Sequence, residues 1–148
     1  MTATSHALIG TVIAAKIGNP ALAIPLALAS HVISDMIPHW DTATNIEKKG
    51  KKRVIIDSFF DVIIGFILSF LIVIFLFPQT NLGYVFVIIL ASQALDWLIV
   101  PYYLFDINLP LSKAVYKFQK SFDNSLDKPW GIVTQVATVI AVILLGIS

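Results

Sequence analysis

The 148-residue sequence contains no cysteine and only 13% charged residues, and each scarcity removes a set of possibilities. Without cysteine there is no disulfide framework, no thiolate metal site and no thiol nucleophile. A soluble globular domain carries roughly 25% charged residues, so this chain has too few to cover a water-facing surface. The formal net charge of +1 supplies no basic face for a polyanion, which argues against a nucleic-acid partner. What is abundant is apolar: 57% of the residues are hydrophobic and the mean hydropathy is +0.86. The composition places the chain in lipid.

A spanning helix needs about 20 largely apolar residues, with roughly 17 as the lower limit. Five runs are read as crossings: 6–17, 21–37, 54–77, 82 to about 105, and 131–147. The first is short and ends at Gly18-Asn19-Pro20; having no basic residues ahead of it, it reads as a bundle helix rather than a signal peptide. Pro38 and Pro78 stop the second and third, and Pro129-Trp130 precedes the fifth. Between the last two runs, residues 109–126 space Leu111, Val115, Phe118 and Phe122 three or four apart, with Lys113, Lys117 and Lys120 opposite. That pattern predicts an amphipathic helix lying on the bilayer surface. The expected fold is therefore an all-α, polytopic membrane helix bundle. It forms a single domain over 1–148, with about five transmembrane helices and one amphipathic surface helix.

Lysine and arginine are retained on the cytoplasmic side of a membrane protein. With five crossings, the five basic residues within 48–53 fall on the same side as Lys113, Lys117, Lys120 and Lys128, and only Lys16 falls on the other. The expectation is a protein integral to the cytoplasmic membrane, with its N-terminus in the cytoplasm and its C-terminus outside.

Against this apolar background the ionisable residues within the helices stand out. One Asp at mid-helix costs roughly 2.5 to 3.5 kcal/mol on insertion scales, and the runs hold Asp35, Asp57, Asp61 and Asp96 together with His6 and His31. The topology brings them to one depth: His6 opens the first run, His31 and Asp35 close the second, Asp57 and Asp61 begin the third, Asp96 is late in the fourth and Gln135 early in the fifth. His31 and Asp35 are four apart, as are Asp57 and Asp61, so each pair shares a helical face. His39 and Asp41 follow Pro38 closely. Two carboxylates so placed repel unless one is protonated or a cation lies between them. Imidazole with carboxylate and no thiolate suits zinc, manganese or iron better than calcium, and helix bundles hold one or two such ions with ligands at this spacing. The candidate metal ligands are His6, His31, Asp35, His39, Asp57 and Asp61, with Asp61 or Asp96 as the catalytic base. Asp106, Asp123, Asp127 and Glu47 read as surface charges.

The run SHVISDMIPHWD at 30–41, with an early histidine in SHALIG, resembles the small bacterial and archaeal membrane-bound metal-dependent hydrolases. That family is distantly similar to the all-helical zinc-dependent phospholipase C and nuclease superfamily, in which a helical His-xxx-Asp followed by another His binds zinc. The resemblance covers about the first 65 residues. It implies that His31 and Asp35 are the His-xxx-Asp pair, His39 the following histidine and His6 the N-terminal one, although the interval from Asp35 to His39 is shorter than in the phospholipases.

The expected function is a metal-dependent hydrolase acting at the cytoplasmic membrane interface on a membrane lipid, a phospholipid or a lipid-linked phosphate ester. Two alternatives come from other classes. A proton- or cation-coupled small transporter would spread its polar groups through the whole membrane depth, and a non-catalytic protein would use the metal only to pin its helices.

Overall fold

The computed structural model describes residues 1–148. It is all-α, with helices α1 (Ala3–Lys16), α2 (Pro20–Asp35), α3 (Ile46–Lys49), α4 (Lys51–Leu76), α5 (Leu82–Tyr103), α6 (Pro110–Lys120) and α7 (Trp130–Ile147). Local chemistry sets several boundaries. Asn19 caps α2 through its side chain, with Pro20 in the first turn, where the missing N–H costs nothing. Asn81 caps α5, accepting from the Tyr84 N–H. Gly50, at φ +78°, separates the single turn of α3 from α4.

Three helices, α4, α5 and α7, are long and apolar enough to cross a membrane. Helices α1 and α2 have 14 and 16 residues. At 1.5 Å per residue they extend about 21 and 24 Å, short of the ~30 Å hydrocarbon thickness. The structure thus carries three helices of spanning length where the sequence reading expects five. Helix α1 is also the most enclosed element. It packs against α2, α4, α5 and α7, and its small residues permit close approach: a Cβ on Gly10 would lie 2.9 Å from the Ser92 Cβ of α5. The outer surface of α4 is lined with exposed apolar side chains, among them Phe59, Phe60, Ile67 and Phe75. Apolar exposure of that extent is what a bundle presents to lipid rather than to water.

Helix α6 occurs where the amphipathic pattern predicts it, but its polar edge does not simply face away from the bundle. Leu111 and Phe118 are exposed, whereas Ser112 and Gln119 are buried against the rest of the chain. The Tyr116 ring packs on Tyr102 and Tyr103 of α5 at 5.3 Å between centroids. Beyond α6, the backbone of 123–126 pairs with the segment following α2: the His39 N–H donates to the Asn124 carbonyl, the Leu126 N–H to the His39 carbonyl and the Asn124 N–H to the Asp35 carbonyl. This short parallel pairing fixes the loops that close one end of the bundle.

Candidate metal centre

That closed end gathers the polar residues. The start of α1, the end of α2 and the late turns of α5 meet there, as antiparallel helices must if their polar positions share a depth. His6, His31 and His39 are each 1% exposed or less, and Asp35 is 4% exposed. The rings of His6 and His31 stack at 3.8 Å between centroids, 11° from parallel.

Hydrogen bonds to the outer nitrogens fix the histidine tautomers. His31 Nδ1 lies 2.7 Å from the Ser92 carbonyl oxygen, and His39 Nδ1 lies 2.8 Å from that of Ile37. A carbonyl only accepts, so both Nδ1 atoms carry the proton, and in the neutral rings Nε2 carries a lone pair. Ser34 Oγ donates to the His31 carbonyl and is therefore left to accept from His6 Nδ1 at 3.3 Å, which orients the third ring the same way. Gln119 of α6 donates to His31 Nε2 at 3.1 Å and to Asp96 Oδ1 at 3.0 Å, as a lone pair on that nitrogen requires. A metal-ligating histidine is typically held in this way, its other ring nitrogen donating to a neighbouring acceptor.

The three Nε2 atoms face carboxylates. His6 Nε2 is 3.2 Å from Asp35 Oδ1, His31 Nε2 is 3.3 Å from Asp35 Oδ2 and 3.5 Å from Asp96 Oδ1, and His39 Nε2 is 3.3 Å from Asp123 Oδ1. Nε2 of His6 and of His39 has no hydrogen-bond partner despite full burial. A charge-assisted hydrogen bond is shorter, about 2.7 to 2.9 Å. Ligands about 2.1 Å from a tetrahedral ion instead lie about 3.4 Å from one another. The spacing and the orphaned Nε2 atoms of His6 and His39 are compatible with a bound cation, while Nε2 of His31 is engaged by Gln119. His6, His31 and Asp96 offer three ligand atoms all within 4.8 Å of one another, and Asp35 adjoins two of them. The amine of Met1 also contacts Asp35 Oδ1.

Of the residues expected at a metal, His6, His31, Asp35 and His39 are brought together here, and Asp96 joins them. Asp57 and Asp61 are not among the groups brought together and have other partners. Asp57 is bound by the Arg53 guanidinium one turn earlier, with Nε 2.8 Å from Oδ1. Asp61 accepts from the Ala3 N–H at 2.6 Å and the Thr4 N–H at 3.4 Å, while the Thr4 hydroxyl donates to its carbonyl. It therefore serves the unpaired N–H groups that begin α1, where a carboxylate is also favoured by the helix dipole. Replacing Asp61 with Asn is expected to cost on the order of 1 kcal/mol, as loss of a capping interaction does, while leaving metal content unchanged. A drop in bound metal measured by elemental analysis would return Asp61 to the ligand set.

Two contributors were not expected. In the sequence Ser112, Tyr116, Gln119 and Asp123 recur at intervals of four, three and four residues, although α6 ends at Lys120 and Asp123 lies in the loop that follows it. That periodicity was the available signal. Asp106 and Asp127 do behave as surface charges, with Asp106 2.6 Å from Lys51 Nζ and Asp127 2.6 Å from Asn45 Nδ2.

Two cavities adjoin the cluster on the side of Asp96. A polar one of about 490 Å³ is lined by Asp35, Asp41, Asp96, Gln119 and Asp123, with Lys48 and Lys120 on its wall. An apolar one of about 300 Å³ runs between α4 and α5, lined by Val54, Phe59, Val62, Trp97, Val100 and Phe105. Asp41, Asp96 and Tyr103 lie on both. Burial pushes the Asp41 carboxyl up to about 6, against the opposing influence of the Ala43 N–H that donates to it.

The chain matches no protein-family model, no curated protein and no solved structure. The resemblance carried by the 30–41 run therefore rests on those residues alone.

Proposed function

We propose that this protein is a membrane-embedded, metal-dependent hydrolase acting at the cytoplasmic interface on a phospholipid or a lipid-linked phosphate ester. The observation that carries the reading is that Asp96, whose carboxylate lies beside His31 and His6, lines both the polar and the apolar cavity, with Asp35 on the polar one. An amphiphilic substrate needs that junction: its headgroup lies in the polar cavity beside Lys48 and Lys120, and a hydrocarbon chain lies between α4 and α5. His6, His31, Asp35 and Asp96 hold the ion, zinc being the best match to a mixed imidazole and carboxylate set. When bound, such an ion lowers the pKa of its water toward neutrality and polarises a phosphoryl oxygen. Ser92, Ser34 and Ile37 orient the three rings, and Asp41, on the wall of both cavities, is placed to take a proton. The cytoplasmic orientation is supported by the basic residues, all but Lys16 of which fall at the cluster's end of the bundle.

The experiment compares a long-chain phospholipid in vesicles with a short-chain, water-soluble phosphodiester, using zinc-loaded protein. Val62→Trp fills the apolar cavity and is expected to slow hydrolysis of the long-chain substrate roughly tenfold, equivalent to about 1.4 kcal/mol. The short-chain rate and the metal content should hold. Absence of metal-dependent hydrolysis on both substrates would overturn the proposal, and cation flux in proteoliposomes that Asp96→Asn abolishes would assign the site to transport.

A further inference from the structure

We infer that the centre holds two divalent cations rather than one, the second bound by His39 and Asp123 with Asp35 bridging it to the first. This inference rests on the metal reading above and extends it to residues outside the group formed by His6, His31 and Asp96.

The observation is His39. Its ring is fully buried, its Nδ1 proton is committed to the Ile37 carbonyl, and its Nε2 has no hydrogen-bond partner. A buried acceptor left without a partner costs about 1–3 kcal/mol. The groups Nε2 faces are themselves acceptors: Asp123 Oδ1 at 3.3 Å and Asp35 Oδ1 at 3.9 Å. Lone pairs turned toward one another in a buried place are repulsive, and a cation between them reverses the sign. The 3.3 Å separation again matches the edge of a tetrahedral site.

Asp35 has the geometry of a bridge. Oδ2 faces His31, while Oδ1 lies between His6 at 3.2 Å and His39 at 3.9 Å, where a bridging ion would take the place of the Met1 amine. One carboxylate offering its two oxygens in two directions is how ion pairs about 3.5 to 4 Å apart are held. The only other cation on Asp123 is Lys120, whose Nζ is 3.5 Å from Oδ2, the oxygen turned away from His39, and whose side chain is largely exposed. The backbone pairing of 123–126 with the segment after α2 holds Asp123 against His39 independently of any ion. Asp123→Asn therefore removes a ligand charge without removing the loop.

The test is metal stoichiometry of the detergent-purified full chain after loading with zinc, together with electron paramagnetic resonance after loading with manganese. Wild type is expected to bind two ions per chain and to show an exchange-coupled manganese signal. Asp123→Asn and, separately, His39→Gln are each expected to bind one ion and to give the six-line spectrum of isolated manganese. One ion in wild type and in both variants would overturn the second site while leaving the first intact. Two ions in both variants would overturn the roles of His39 and Asp123, and none in wild type would overturn the metal reading altogether.

Discussion

Replacing His31 and Asp35 together with alanine is expected to leave the purified protein without bound divalent metal. The size of the effect follows from where the two side chains stand. Asp35 is the one group that all three imidazoles approach, at 3.2, 3.3 and 3.9 Å. His31 is the one histidine whose Nε2 lies near two carboxylates within 3.5 Å. Removing a group that merely orients a ligand typically costs 10 to 100-fold in metal affinity, and removing two ligands of one ion costs more. Asp57→Ala is the matching control, because Asp57 is likewise a helical aspartate but is paired with an exposed arginine. It should keep full metal content. Helical content by circular dichroism and a monodisperse elution profile separate metal loss from unfolding. Full metal content in the folded double variant would sink the assignment of the cluster as a metal site.

The contrast between Asp35 and Asp57 also marks the limit of what the sequence conveys. Depth was legible: apolar runs bounded by Pro20, Pro38, Pro78 and Pro129 define helices, their alternation defines which ends coincide, and His6, His31, Asp35 and Asp96 indeed meet at one end. Azimuth was not. Asp57 and Asp61 share a face by spacing, but which neighbour that face meets depends on the rotation of α4 within the bundle. For Asp61 the neighbour is the start of α1, whose free N–H groups attract the carboxylate. For Asp57 it is Arg53, four residues back, an interaction the sequence does contain but which competes with any ligand role. The number of crossings is less legible for a related reason. A short apolar run enclosed by neighbours, as α1 is, reads like a crossing because burial in protein and burial in lipid demand the same residues.

Helix α6 illustrates the reverse difficulty. A moment calculated for a surface helix tells that one side is polar, not what the polar side touches. Here it covers the cluster, so Gln119 reaches His31 and Asp96, and the loop that follows places Asp123 on His39. In a membrane the inward side of a bundle is where polar groups find partners, since lipid offers none. Ser112, Tyr116, Gln119 and Asp123 should therefore be weighed as candidates for the interior, and the lysines between them as the headgroup-facing set.

Stripping the metal with a chelator is expected to lower the apparent melting midpoint by on the order of 10 °C, with zinc restoring it. Anything that binds the folded chain and not the unfolded one stabilises it by about 4 kcal/mol at a thousandfold excess over its dissociation constant, and for a chain of this size each kcal/mol shifts the midpoint by about 2–4 °C. The folded state has particular reason to depend on the ion. Asp35 and His6, His31 and His39 are nearly inaccessible, so without a divalent ion the Met1 amine is the one formal cation on a carboxylate that three imidazoles approach, in a medium that screens poorly. Magnesium, which prefers oxygen ligands and keeps its waters, should restore little. The His31→Ala, Asp35→Ala variant should show no response to chelator or zinc, because its binding term is absent from both states. Equal midpoints for stripped and zinc-loaded wild type would mean that the cluster is stable as a hydrogen-bonded core, and the 3.2 to 3.5 Å separations would then need another explanation.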